Sequence, residues 1–221
     1  MRDFGMASIM STRHEGEVLV HKIPMGPYGN NGYVIVCPQT NESIVVDTPG
    51  EPEKLIAVAR HTMVKAILIT HTHMDHLLGF EQIRSALGAP VGVHAAEATK
   101  LPTAPDFHLA DGQTITAGTV ALNILHTPGH TPGAVCFVTG HHLFTGDTLF
   151  PGGPGHTSTP QDLRQIVRSI EDKLLVLPGE TVVYPGHGDN TTIARAREEY
   201  AVFASKSHSP DLRGDVVWLT S

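Results

Sequence analysis

The chain has 221 residues, 40% of them apolar, with 22 glycines and 16 prolines, which suits one loop-rich globular domain with a sizeable core. A net charge of −7 argues against a nucleic-acid partner, and no apolar run approaches the roughly eighteen residues of a membrane span. The patchy start is a poor secretory signal, and Cys37 and Cys136 each sit in an apolar run as free thiols, so a cytoplasmic location is expected.

Residues 1–14 read as a ragged tail ahead of a single domain over 15–221. Glu17 to Ile23 is the first predicted strand, followed by a turn tipped by Gly29-Asn30-Asn31-Gly32. Tyr33 to Cys37 and Ser43 to Asp47 form a hairpin, and Asp47 is expected to cap the next loop rather than underlie a site. Glu51 to Arg60 is helical, with Pro52 in its first turn. Ala66 to Thr70 is a buried strand, Gly79 to Leu87 a helix closed by Gly88, Val91 to Val93 a short strand and Ala95 to Leu101 a short helix. His94 is read as a surface or capping residue.

Gln113 to His126 gives two strands broken at Ala117-Gly118. Ala134 to Val138 and His142 to Thr145 form a hairpin whose tip histidines, His141 and His142, are expected in solvent. A helix opens with Thr159 as N-cap, Pro160 at its first position and Asp162 in its first turn. Thr181 to Tyr184 is the last buried strand, Thr191 to Ser205 an amphipathic helix, and Val216 to Leu219 an added edge strand. Strands and helices thus fall into two comparable runs, before and after about residue 110.

Chemistry concentrates in His71-Thr72-His73-Met74-Asp75-His76, directly after the buried strand. Alternation points His71 and His73 the same way, while Asp75 and His76 follow at the turn and aim at a second point. His130, Asp147 and His187 each follow a predicted strand at a glycine-marked turn, and strand ends collect on one edge of a parallel-rich sheet. Five histidines and two aspartates suit zinc, iron or manganese, and the lack of cysteine argues against a structural zinc site. Seven ligands around two ions leave room for water, which favours catalysis.

The order His-X-His-X-Asp-His, then His, Asp and His, resembles the metallo-β-lactamase superfamily over nearly the whole chain. The resemblance implies a four-layer αβ/βα sandwich, two mixed sheets with helices outside. By position it implies that His71, His73 and His130 hold one metal, that Asp75, His76 and His187 hold the other, and that Asp147 bridges. An aspartate at 147, where many β-lactamases of the family have cysteine, points away from antibiotic hydrolysis.

The segments His126-Thr127-Pro128-Gly129-His130-Thr131-Pro132-Gly133, Phe144-Thr145-Gly146-Asp147-Thr148-Leu149-Phe150 and Tyr184-Pro185-Gly186-His187-Gly188 look like the glyoxalase II branch, in its compact form without the C-terminal helical domain. That branch hydrolyses thioesters of 2-hydroxy acids, so a small-molecule thioester such as S-lactoylglutathione is the implied partner, and two divalent ions, zinc first and then iron or manganese, the implied cofactors. Where the branch usually carries Arg or Lys after Gly-X-Gly, this chain has Gly153-Pro154-Gly155-His156. Histidine is shorter and neutral for much of the time near pH 7, so a thiol other than glutathione is a candidate.

The expected reaction is attack on the thioester carbonyl by a hydroxide formed between the two cations, with Asp75 as catalytic residue orienting the nucleophile. His156, Tyr28 and Phe150, with Met25, are the candidate lining of the substrate mouth. Competing readings are a persulfide dioxygenase with one iron at positions matching His71, His130 and Asp147, a lactonase or phosphodiesterase of the same fold, and a metal-binding module without catalysis. The oligomeric state is left open.

Overall fold

The computed structural model describes residues 11–15 and 18–221. Its first sheet has seven strands in sequence order: β1 (Ser11–Glu15), β2 (Val18–Met25), β3 (Asn30–Val36), β4 (Glu42–Val46), β5 (Met63–Leu68), β6 (Val91–His94) and β7 (Phe107–Leu109). β1 to β4 are antiparallel. From β4 to β7 the pairing is parallel, with helices α1 (Pro52–Ala59) and α2 (Phe80–Leu87) making the first two crossovers.

The second half supplies β8 (Thr114–Ala117), β9 (Val120–His126), β10 (Val135–Thr139) and β11 (His142–Gly146), then a small ribbon of β12 (Leu149–Phe150) and β13 (Gly153–Pro154). After helix α3 (Pro160–Ser169) come β14 (Val182–Pro185), β15 (Thr191–Thr192) and helix α4 (Ile193–Ala204). The second sheet runs β15-β14-β11-β10-β9-β8, antiparallel except where β11 pairs parallel with β14.

Strand periodicity sorts the side chains into layers. Tyr33 and Ile35, Ile44 and Val46, and Ala66 and Leu68 pack in one cluster with Leu122, Ile124, Phe137 and Phe144 of the second sheet. The intervening residues Val34, Val36, Val45 and Ile67 turn the other way, onto Leu55 of α1 and Phe80 and Ile83 of α2. On the far side Cys136, Leu143 and Val183 meet Leu163 and Ile166 of α3 and Ile193 and Ala196 of α4. The result is helix, sheet, sheet, helix: the four-layer sandwich. Fully buried aliphatic and aromatic side chains of this kind each contribute about 2 kcal/mol.

Local signals act as their chemistry demands. Gly88 ends α2 at φ 61°, a conformation that costs glycine nothing. Thr159 and Asp162 form a reciprocal capping box at the start of α3, at 3.1 and 3.0 Å. Cys37 and Cys136 are buried and free. No described helix is long and apolar enough to cross a membrane.

Four expectations are corrected. The tail does not extend to residue 14, because Ser11–Glu15 pairs with Val18–Lys22; residues 1–10 lie outside the described part. Between Ala95 and Leu101 only one 3-10 turn forms, Ala98–Lys100, because Glu97 turns its side chain inward. His142 is buried rather than at a wet tip, its Nδ1 3.1 Å from Tyr184 Oη; it opens β11 in register with β14, and strand alternation carries it inside. Val216 to Leu219 adds no strand: Val216 and Trp218 are buried against the outer helical layer, and Trp218 N donates to Gly152 O at 2.8 Å.

Candidate metal centre

β5, β9, β11 and β14 deliver His71, His130, Asp147 and His187 to one edge of the sandwich, through the short turns that follow each strand. β9 and β11 are both antiparallel to β10, and β11 is parallel to β14, so the chain leaves all three at the same edge. The seven residues expected from the sequence converge there. Donor atoms of His71, His73 and His130 lie within 4.8 Å of one another, as do those of His71, His76 and Asp147, and those of Asp75, His76 and His187. His71 and His76 are each common to two groups.

Partners on the outer side of each ring assign the tautomers. Thr70 Oγ1 donates to Asp47 Oδ2 at 2.8 Å, so it accepts the Nδ1–H of His71 at 3.1 Å. His76 Nδ1 donates to Asp47 Oδ2 at 3.0 Å, His130 Nδ1 to the carbonyl of His156 at 2.9 Å, and His187 Nδ1 to that of Tyr28 at 3.0 Å. With Nδ1 engaged outward, each of these four rings turns Nε2 inward as the nitrogen open to a metal. His71 Nε2 and His130 Nε2 both face His73 Nδ1, at 3.2 and 2.9 Å, where one proton satisfies at most one of them. His76 Nε2 faces His187 Nε2 at 3.3 Å.

Converging lone pairs repel unless a cation sits among them, and neutral imidazole with carboxylate is a donor set for zinc, iron or manganese. Asp147 supports the same conclusion. Its Oδ1 is buried and accepts no well-formed hydrogen bond, with His76 Nε2 nearest at 3.3 Å. Its Oδ2 lies 3.6 Å from His130 Nε2 and 3.5 Å from His187 Nε2, between the two sets of donors. These residues fit a metal centre.

Electrostatics divides the site. Burial, and then the neighbouring imidazoles, hold His71 well below the usual histidine range, and His73 and His130 are lowered too, chiefly by burial. That half is neutral. In the other half burial works against a charge on His187, but Asp147 and Asp75 outweigh it and push the ring up to about 10. The two carboxylates draw a positive charge into this half, where a divalent ion would displace the proton.

Several supporting residues carry no motif in the sequence. Asp47, read as a cap, lies beneath the site: it accepts from Thr70 N, Thr70 Oγ1 and His76 Nδ1 while holding φ at 61°. Asparagine and aspartate tolerate that region better than other residues. Asn30 Nδ2 donates to Asp75 Oδ2 at 2.7 Å, and Asn31 Nδ2 donates to the carbonyls of Pro185 and Gly188, both at 3.0 Å, clamping the His187 loop. Buried Glu97 ties the two loops of the neutral half together. It accepts from Thr72 Oγ1, between His71 and His73, and from Gly133 N, beyond His130. Replacing Glu97 with alanine strands both donors and is expected to cost about 3 kcal/mol in urea denaturation, with metal stoichiometry reduced by loss from this half first.

A cleft of about 360 Å³ opens onto His130 and Asp147, lined by the loop from Phe150 to His156 and by Asp215, Val216 and Val217. Phe150, whose ring centroid is 6.3 Å from that of His187, and His156 both line this cleft. Tyr28 does not: its ring is exposed, and its carbonyl is what holds His187. Met25 is buried in the helical layer of the first sheet, because β2 turns it inward. His94 is a local residue, stacked on His126 with a centroid separation of 4.1 Å and accepting from Ala96 N.

The fold and the donor set define a metal-dependent enzyme class, and residues 25–187 match the Metallo-beta-lactamase superfamily. This chain belongs to that superfamily. A hydroxyacylglutathione hydrolase of Polaromonas sp. (strain JS666) is 35% identical over 191 residues, covering 82% of this chain and 72% of that protein. Among solved structures, the BLEG-1 B3 metallo-beta-lactamase superposes with a TM-score of 0.73 at 30% identity, over 81% of this chain and 96% of that one. TTHA1623 in a di-iron-bound form superposes with a TM-score of 0.70 at 32% identity, over 80% and 96%.

Proposed function

We propose that the protein is a binuclear metal-dependent thioesterase acting on S-2-hydroxyacyl thiols. The observation that carries the reading is the pair of donor sets, one neutral and one anionic, joined through His71, His76 and Asp147 beside an open cleft. The 35% identity to a hydroxyacylglutathione hydrolase supports the substrate class, and the di-iron form of TTHA1623 supports a two-ion site.

His71, His73 and His130 would hold one ion, Asp75, His76 and His187 the other, with Asp147 between them. Divalent ions there supply Lewis acidity, lowering the pKa of water toward about 7 and polarising a carbonyl. The chain's own part is positional. Asp75, its side chain 22% exposed, is anchored through Oδ2 by Asn30 and is placed to accept a hydrogen bond from the attacking water. Burial opposes its ionisation, but His187 and Asn30 outweigh that and keep the carboxyl well below the usual range. Phe150, Pro151 and Pro154 flank the space where the acyl group would lie and limit access of further water. The leaving thiol has an ordinary pKa near 8.5, so a separate general acid is dispensable.

Elemental analysis paired with a hydrolysis panel on the same sample tests this. Near two zinc, iron or manganese ions per chain with cleavage of S-lactoylglutathione or another lactoyl thioester is the expected result. One iron per chain with oxygen uptake on a persulfide would replace it with the dioxygenase reading. Turnover confined to β-lactams or lactones would move the protein to another branch of the fold.

A further inference from the structure

The cleft has two walls of different origin. The loop from Phe150 to His156 forms one; Asp215, Val216 and Val217, near the chain's C-terminus, form the other. The second wall is built in: Thr157 and Gly214 exchange backbone hydrogen bonds at 3.2 and 2.9 Å, and Trp218 is buried just beyond. Among the described residues, no lysine or arginine lines this cleft. Asp215 is 86% exposed, and its Oδ1 lies 2.9 Å from His156 Nδ1. Whether His156 is protonated or not, the net charge of that pair is zero or −1. Away from the metal donors His130 and Asp147, the walls of the mouth therefore place no basic side chain among the described residues against a carboxylate, and they set the exposed Asp215 carboxylate where a cation can reach it.

We infer that this mouth selects thioesters whose leaving thiol is cationic or neutral over those whose thiol is anionic, and that Asp215 is the residue that determines the preference. The inference rests on the thioesterase reading above. Val216, Val217 and Pro154 cover the aliphatic part of such a thiol, while its charged end reaches the exposed carboxylate.

Three lactoyl thioesters test it at low ionic strength: of thiocholine, a permanent cation; of N-acetylcysteamine, which is neutral; and of 3-mercaptopropionate, an anion. Each kcat/KM is divided by that of the neutral ester on the same metal-loaded preparation, so that folding and metal content cancel. The cationic ester is expected to lead the anionic one by roughly three- to tenfold, the effect of one unit charge across a few ångströms of wet cleft. The gap should shrink as salt is added. Asp215→Asn should bring the ratio close to one, and Asp215→Lys should invert it. Equal rates in the unaltered protein, or a ratio that neither substitution moves, overturns the inference while leaving the thioesterase reading intact. Cleavage of none of the three by protein carrying two metals per chain overturns both.

Discussion

Asp75→Asn is expected to lower kcat for thioester hydrolysis by about 10²- to 10⁴-fold, with a much smaller change in KM. The carboxylate sits at the rim of the anionic half, with Asn30 Nδ2 on Oδ2 at 2.7 Å and His187 Nε2 at 3.1 Å from the same oxygen. Those contacts hold the side chain still while leaving part of it open to solvent, where a water can donate to it. Asparagine preserves the volume but loses the charge, and its amide nitrogen cannot accept. Because Asp75 also belongs to the second donor set, metal content has to be measured on the same protein. Retention of both metals with a collapsed kcat is the expected pattern, since His76, His187 and Asp147 remain. A normal kcat would remove Asp75 from the chemistry altogether.

Asp147→Asn is expected to lower metal stoichiometry from two ions per chain to one or fewer, with loss of at least about 10³-fold in turnover. The carboxylate is nearly buried and is flanked by the inward nitrogens of His76, His130 and His187, so no other group can take its place between the two donor sets. Burial alone would favour its neutral form, yet the adjacent His187 and His76 hold it ionised, well below the usual range. Gly186→Ala tests the same point without removing a donor. A Cβ at 186 would collide with Asp147 Oδ1 and would come within 2.7 Å of His76 Cε1, and Gly186 N is itself bonded to Gly146 O at 2.8 Å. The backbone has no room to yield, so the methyl group should displace Asp147. Reduced metal binding by a variant that keeps all seven donors would show that the packing of this loop, as well as its composition, makes the site. Full metal occupancy with normal turnover in Gly186→Ala would contradict that view.

Much of this architecture is written in short-range pattern. The buried runs around Ile35, Val45 and Ile67 were legible as strands because each must satisfy two hydrophobic layers at once, and Gly88 and Thr159 marked helix ends by their own chemistry. The errors share a different cause. His142 looks like a turn residue until β11 is registered against β14, and Trp218 looks like an edge-strand residue until α3 and α4 form the surface that buries it. Met25 could face either side of β2 until the sheet is assembled.

The sequence by itself picked out the seven side chains that converge at one edge, since His71, His73, Asp75 and His76 are neighbours in the chain and His130, Asp147 and His187 each sit at a glycine-marked strand end. It also determined the α/β class, because periodicity is a local property that survives without knowledge of partners. Only the tertiary structure decided which groups stand behind the donors. Asp47 reaches Thr70 and His76, Asn30 reaches Asp75, Glu97 joins two loops, and Asp215 meets His156, across separations of 23 to 59 residues. Such contacts form between strand ends whose closeness comes from sheet pairing and the packing of two sheets. No local pattern encodes that closeness, because it is a property of the assembled layers.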